Sequence, residues 1–344
     1  MALRFIDGWD HYATAQLAQK WTSAGTSGGA PAVVGAGRLG GSRLQLQSNG
    51  SLIKVLNAQA TWIVGAALTS SDFGSPGTNP GGLFGFFDGG TLHVDLRFNG
   101  TFLQATRNGT VLATGTIPLS LNTWYYIEMK VIIDDVNGVA IVKVNGVTDI
   151  NFSGDTRNAA NASADRLRLY AAGASSGGAQ STWFFDDLYL CDGTGGSPTN
   201  SFLGDVRVEA LFPNGNGNSS QFDGSDGNST DNYLLVDEAT PNSDTDYVES
   251  PDVGDKDTYA MTNLTPTAGT VFGVQPLPYA AKTDAGTRSI VSVARLAGTE
   301  VDSSDKALSV GYSYYPDIRE TKPGGGAWSI SDVNSAEFGA KVSV

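Results

Sequence analysis

Residues 91–98, TLHVDLRF, and 124–133, WYYIEMKVII, decide the class of fold. In the first, Leu92, Val94, Leu96 and Phe98 fall on one side of an extended chain, and His93, Asp95 and Arg97 on the other. In the second, Tyr125, Ile127, Met129, Val131 and Ile133 oppose Trp124, Tyr126, Glu128 and Lys130. Side chains of a strand alternate between faces, so both segments predict strands with one face in a core. Five Asn-Gly steps punctuate residues 1–200, at Asn49-Gly50, Asn99-Gly100, Asn108-Gly109, Asn137-Gly138 and Asn145-Gly146. Both residues accept the positive φ of a two-residue turn, so each step predicts a hairpin tip and the set an antiparallel meander. WFFDDLYL at 183–190 closes the region with a dense aromatic strand. The one short-helix candidate is Asp10–Trp21, with Asp10 placed to cap it.

Composition agrees with an all-β chain. Gly contributes 44 of 344 residues, and charged residues only 16%, so strong helix formers are scarce. The breaker-rich run DGTGGSPT, starting at Asp192, predicts a linker at 193–200. It separates an expected sandwich domain at 1–192 from a second, smaller β-sandwich at 201–344. Strand-like runs recur there at Asp205–Phe212, Val271–Val274, Arg288–Leu296, Ala307–Tyr315 and Ser335–Val344. Asn214–Asp257, rich in Asn, Ser, Gly and Asp, predicts a long loop or interaction surface.

Charge narrows the partners. Residues 1–200 hold 12 basic and 14 acidic side chains, a balance of −2, and residues 201–344 hold 9 and 21, a balance of −12. An acidic half of that size repels phosphate backbones, so nucleic acid is not an expected partner. No apolar run is long enough to span a bilayer, and no secretory signal opens the chain. Cys191, alone, can form no internal disulfide. These features predict a protein made in a reducing cytoplasm.

Candidates for catalysis are few. Glycoside hydrolysis needs two carboxylates at fixed separation, and residues 1–200 contain one glutamate, Glu128, on the same strand face as Lys130. Asp186 and Asp187 are adjacent, so in a regular strand they point to opposite faces. His11 and His93 lack a G-x-S-x-G nucleophile elbow, and exposed or partly packed rings account for both. Cys191 has no partner at metal-ligand spacing. No catalytic residue, no metal ligand and no binding residue is therefore assigned, and the chain is expected not to be an enzyme. Asp223, Asp226 and Asp231, and Asp252, Asp255 and Asp257, are read as solvated acidic surface, with a loop-held calcium ion as the alternative. Outside that alternative no cofactor is expected. Aromatic clusters at Phe84-Phe86-Phe87, Trp124-Tyr125-Tyr126, Trp183-Phe184-Phe185 and Tyr312-Tyr314-Tyr315 are assigned to packing ahead of a sugar platform.

Several motifs occur together in order. FIDGWDHY…KW, NTWYYIEMKV, VKVNG and FFDDLYLCDG resemble the laminin G-like, concanavalin A-type jelly-roll sandwich domains of tailed-bacteriophage virion proteins, over about residues 1–195. LGDVRVEALFPNGNGNSSQF, VDEATPNSDTDYV, KTDAGTRSI, GYSYYP and AWSISDVNSAEFG resemble a module that often follows it in phage proteins. The Asp/Asn metal loop of sugar-binding lectins of this fold is absent. The resemblance implies a virion structural or accessory protein, tail-associated or decorating the head, present in many copies beside other virion proteins. It implies synthesis in the host cytoplasm, no membrane insertion and release by lysis. The alternative is an adhesin that grips host-surface glycan.

Overall fold

The computed structural model describes residues 2–25, 29–75, 79–80, 82–171 and 181–344. The chain is nearly all β and divides into two compact units, Met1–Val208 and Glu209–Val344.

The first unit holds two antiparallel sheets. One runs, edge to edge, Val147–Gly154, Gly138–Val144, Tyr125–Ile132, Thr61–Ser70, Thr182–Cys191, Ser42–Gln47 and Ala32–Gly35, with Leu3–Asp7 also paired to Thr182–Cys191. The other runs Thr110–Thr114, Phe102–Arg107, Thr91–Asn99, Gly82–Asp88, Ala164–Tyr170, Ser51–Gln59 and Ser23–Gly25. Some neighbours are distant in sequence, Tyr125–Ile132 beside Thr61–Ser70 and Ala164–Tyr170 beside Ser51–Gln59 among them, because the chain crosses between sheets as a jelly roll does. The predicted alternation holds in the core. Val94, Leu96 and Phe98 in one sheet and Ile127, Met129 and Val131 in the other are all fully buried. Trp62 spans the layers by donating its indole N–H to the Ala164 carbonyl at 2.9 Å, and Phe98 packs on Trp183 with ring centroids 5.3 Å apart. Each such side chain contributes about 1.5–3 kcal/mol by leaving water.

The turn expectation splits. Asn108-Gly109 and Asn145-Gly146 are two-residue hairpin tips, while Asn99 still pairs with Phe102, so the tip there is Gly100-Thr101. Asn49-Gly50 instead carries the chain from one sheet to the other, and Asn137 ends a longer loop. The meander is thus two short meanders, Thr91–Thr114 and Tyr125–Gly154, in different sheets.

The helix expected over Asp10–Trp21 shrinks to a 3-10 turn, Thr14–Gln16, and one α-turn, Leu17–Lys20. A buried polar network sets the path instead. Lys20 Nζ lies 3.0 Å from Asp7 Oδ1 and 3.1 Å from His11 Nε2. Asp7 also accepts from the Trp9 N–H at 3.0 Å, Tyr12 O–H at 2.6 Å and Trp21 Nε1–H at 2.8 Å. Asp10, expected to cap, accepts from the Ser42 N–H at 2.6 Å. The FIDGWDHY…KW motif is therefore a folding element that closes one corner of the sandwich.

The linker was expected at 193–200 and the second domain from 201; the compact units divide at Val208/Glu209. Residues 203–208 are bound to the first unit through polar groups. The Leu203 N–H donates to Tyr189 Oη at 3.2 Å, Gly204 N–H to Glu128 Oε1 at 2.9 Å and Val208 N–H to Asp187 Oδ1 at 2.8 Å.

The second unit is built on one six-stranded sheet in which Pro213–Ser220, Lys256–Met261, Glu337–Val342, Ser289–Leu296 and Thr299–Asp302 follow one another, and Lys306–Ala307 adds to Ser289–Leu296. Trp328, Val333 and Ala336 form its apolar centre, with Leu211, Leu264, Val271, Val274, Leu296 and Phe338 against them. Two expectations are corrected. Asp205–Phe212 is not a strand, while PNGNGNSS, placed in the polar loop, is one. Gly217 explains the second: a Cβ there would meet Thr258 Oγ1 at 2.5 Å and Glu337 Oε2 at 2.6 Å, so only glycine lets the strands approach.

Candidate functional site

On the outer face of the eight-stranded sheet, Arg38 gathers groups from three parts of the first unit. It sits in the turn between Ala32–Gly35 and Ser42–Gln47. The turn is glycine-dependent. A Cβ on Gly37 would stand 2.4 Å from the Gly40 carbonyl oxygen and 2.8 Å from Asp186 Oδ2, and Gly41 has φ +70° against Asp10. The Arg38 N–H donates to Asp186 Oδ2 at 2.7 Å. Its guanidinium donates through Nη2 to Asp205 Oδ1 at 2.5 Å, holds Nε 3.4 Å from Asp187 Oδ2, and lies 5.4 Å from the Tyr126 ring centroid.

The strand period predicted that Asp186 and Asp187 diverge. They converge on Arg38, and the cause is a β-bulge. Asp186 pairs with Ala67 and Tyr189 with Gly65, three residues against two, and Asp187 takes the left-handed φ of 52°. Both carboxyls are buried. Burial, then the charge of Asp187, raises Asp186 from 3.8 to about 7. Burial likewise raises Asp187, with the Val208 N–H and Arg38 opposing, and raises Asp10 to about 6.

Glu128 and Tyr189 stand beside this cluster. Tyr189 O–H donates to Glu128 Oε1 at 2.5 Å, and its ring fills the room left by Gly65, where a Cβ would come within 2.2 Å of it. Burial and the Glu128 charge push the Tyr189 phenol well above its usual value. Tyr126 O–H donates to the Asp187 carbonyl at 3.0 Å.

A groove of about 360 Å³ opens at this edge, lined by Arg38, Trp124, Tyr125, Tyr126, Asn145 and Asp205. Asn145, at the tip of the Gly138–Val144 hairpin, accepts the Tyr126 N–H through Oδ1 at 2.8 Å and lines the groove. Arg43 extends the aromatic lining, 3.5 Å from the Phe184 ring centroid and 5.9 Å from that of Trp124. The result is a half-buried strip of aromatic faces with a guanidinium, an amide and a carboxylate at its rim.

The other candidates are dispersed. His11 belongs to the Lys20–Asp7 network, where burial and the Lys20 charge lower it to about 3. His93, expected on an outward face, is fully buried: Nδ1 accepts the Asn158 N–H at 3.0 Å and Nε2 lies 3.2 Å from the Ser163 carbonyl. Cys191 is buried and forms no disulfide among the described residues. Among the described residues no group of three or more His, Cys, Asp or Glu side chains is arranged to hold a metal ion. Of the acidic sets weighed for calcium, Asp257 is buried as a structural acceptor, while Asp226 accepts from its neighbour Asn228 and Asp255 from Ser250. The aromatic clusters divide by face. Trp183 is core, Phe184 meets Arg43, and Trp124 and Tyr126 line the groove. Sequence reasoning missed Arg38, Asn145 and Asp205; only the Asn-Gly step at 145 marked any of them locally.

No family model and no curated protein matches the chain. Among solved structures, alginate lyase Aly36B is 14% identical over 60% of this chain and 98% of that one, with a TM-score of 0.41. Endo-β-1,4-glucuronan lyase from the fungus Trichoderma reesei is 10% identical over 50% and 90%, at 0.40. The cellulose-induced protein Cip1 is 12% identical over 54% and 96%, at 0.41. The expectation that the chain is not an enzyme is corrected, because it rested on carboxylates taken to diverge, and Asp186 and Asp187 meet at one arginine. The single glutamate of residues 1–200, Glu128, therefore excludes one hydrolytic arrangement and not catalysis in general.

Proposed function

We propose that the first unit binds an extended saccharide in the Arg38–Trp124 groove, and that the chain is carried on a tailed-phage particle. The groove is the observation that supports saccharide binding. Aromatic faces accept the apolar C–H faces of sugars, and the convergent guanidinium, amide and carboxylate offer donors and acceptors for hydroxyls. The particle setting rests on the ordered motifs shared with virion proteins. On this reading the partners are a glycan, other virion proteins and further copies of the chain, and the acidic second unit faces solvent, a cation or a basic neighbour.

Two experiments test the parts separately. A glycan array probed with the full chain is expected to give hits that compete with one another for the groove. Mass spectrometry of purified particles is expected to find the chain among the structural proteins. A chain confined to the soluble lysate contradicts the particle setting and leaves the groove standing.

A further inference from the structure

The seven-stranded sheet carries a second polar constellation on its outer face. Register sets Asp95 and Arg168 on either side of Gly85 in one row across three strands. The Tyr170 ring lies over Gly82, where a Cβ would stand 1.7 Å from it, and Phe87, Tyr170 and Leu92 lie over Gly85. Tyr170 O–H donates to Asp95 Oδ2 at 2.5 Å. Arg97 donates to the same oxygen from Nε at 3.1 Å and Nη2 at 2.7 Å, and the Thr106 hydroxyl donates to Oδ1. Asp95 is buried, and its charge is matched by Arg97.

Arg168 has no such match. Its guanidinium lies 5.1 Å from the Tyr170 ring centroid, its buried Nε donates to nothing, and no carboxylate pairs with it among the described residues. With the Asp95–Arg97 pair neutral, this half-buried cation is the unbalanced charge of the cluster. A guanidinium presents parallel N–H donors that fit the two oxygens of a carboxylate, and such bidentate pairs are among the stronger hydrogen bonds.

We infer that this face binds a uronic acid residue of an acidic polysaccharide, with Arg168 pairing its carboxylate beside the Tyr170 ring. The inference rests on the reading of the first unit as saccharide-binding, but it uses the other sheet and other residues.

The test measures binding of the full chain to immobilised oligogalacturonate, its methyl ester and a sulfated neutral oligosaccharide. Wild type is expected to prefer the free acid over the methyl ester by about tenfold or more, as one charge-assisted pair supplies. Arg168→Gln is expected to lose that preference while neutral glycans bind as before, and Arg168→Lys to keep part of it. Thermal melting of each variant shows that the fold is intact. Equal binding of acid and ester by wild type, an undiminished preference in Arg168→Gln, or equal retention of the sulfated oligosaccharide overturns the assignment. Neutral glycans still bound in those cases leave the groove reading intact; no saccharide bound at all removes both.

Discussion

Asp7→Ala is expected to destabilise the first unit by about 3–5 kcal/mol, the usual cost of removing one partner from a buried ion pair. The substitution leaves the Lys20 ammonium, itself 3% exposed, without its counter-ion, and removes the carboxylate that accepts from Trp21 and Tyr12, leaving the Trp21 N–H the longer bond to Tyr12 Oη at 3.3 Å. For a unit of this size the melting temperature should fall by on the order of 10 °C. The effect depends on pH with a definite sign. Burial pushes the Asp7 carboxyl up, but the Lys20 charge together with the hydrogen bonds holds it below its ordinary 3.8. A depressed carboxyl stabilises the fold above its unfolded pKa, and that contribution is lost as pH falls through the folded value. The gap between wild type and Asp7→Ala should therefore be full at neutral pH and close in acid below 3.8. The double substitution Asp7→Leu with Lys20→Met should recover much of the loss, since the desolvation cost of both charges disappears. A single variant that melts with wild type would show that the network does not hold the corner.

Asp257→Ala should do comparable damage in the second unit. Asp257 is fully buried and collects four donors: the Gln221 N–H at 2.6 Å, the Phe222 N–H at 2.9 Å, Asn232 Nδ2–H at 2.6 Å and Tyr259 O–H at 3.0 Å. Each buried donor left unsatisfied costs about 1–3 kcal/mol, so a total of roughly 3–5 kcal/mol is expected after local relaxation. Asp257→Asn keeps one acceptor oxygen for the two backbone donors and should lose less. Hydrogen exchange of the amides in Pro213–Ser220 and Lys256–Met261 reports on this unit directly. Protection should drop there and remain unchanged in Tyr125–Ile132. Calcium is not expected to restore it, because the carboxylate serves as a hydrogen-bond acceptor in the wild type.

Period-two alternation was enough to read the strands of the sandwich core, because one buried face imposes it whatever the strand order. The strand order itself was not legible. Asn49-Gly50 and Asn108-Gly109 look alike as dipeptides, yet one changes sheets and the other closes a hairpin, a choice made by the residues that pack around them. The site was hidden for a related reason. Arg38 meets Asp205 across 167 positions of sequence and Asp186 across 148, so no local spacing announces it. The bulge at Asp187 breaks the rule from which the two aspartates were judged, and a bulge leaves no mark in an otherwise aromatic strand. PNGNGNSS failed in the opposite direction. Its composition is that of a loop, but close approach to Thr258 and Glu337 requires glycine, and pairing with Lys256–Met261 supplies the hydrogen bonds that its side chains do not.

Saccharide binding in the Arg38–Trp124 groove is measured most directly by a calorimetric titration. The strongest ligand from the array is titrated into wild type and into Trp124→Ala. Trp124 lines the groove through an aromatic face and is not part of the buried core, so its removal should weaken binding by about 2 kcal/mol, roughly thirtyfold, with melting unchanged. Equal affinity in the two proteins, both folded, would contradict the assignment of the groove.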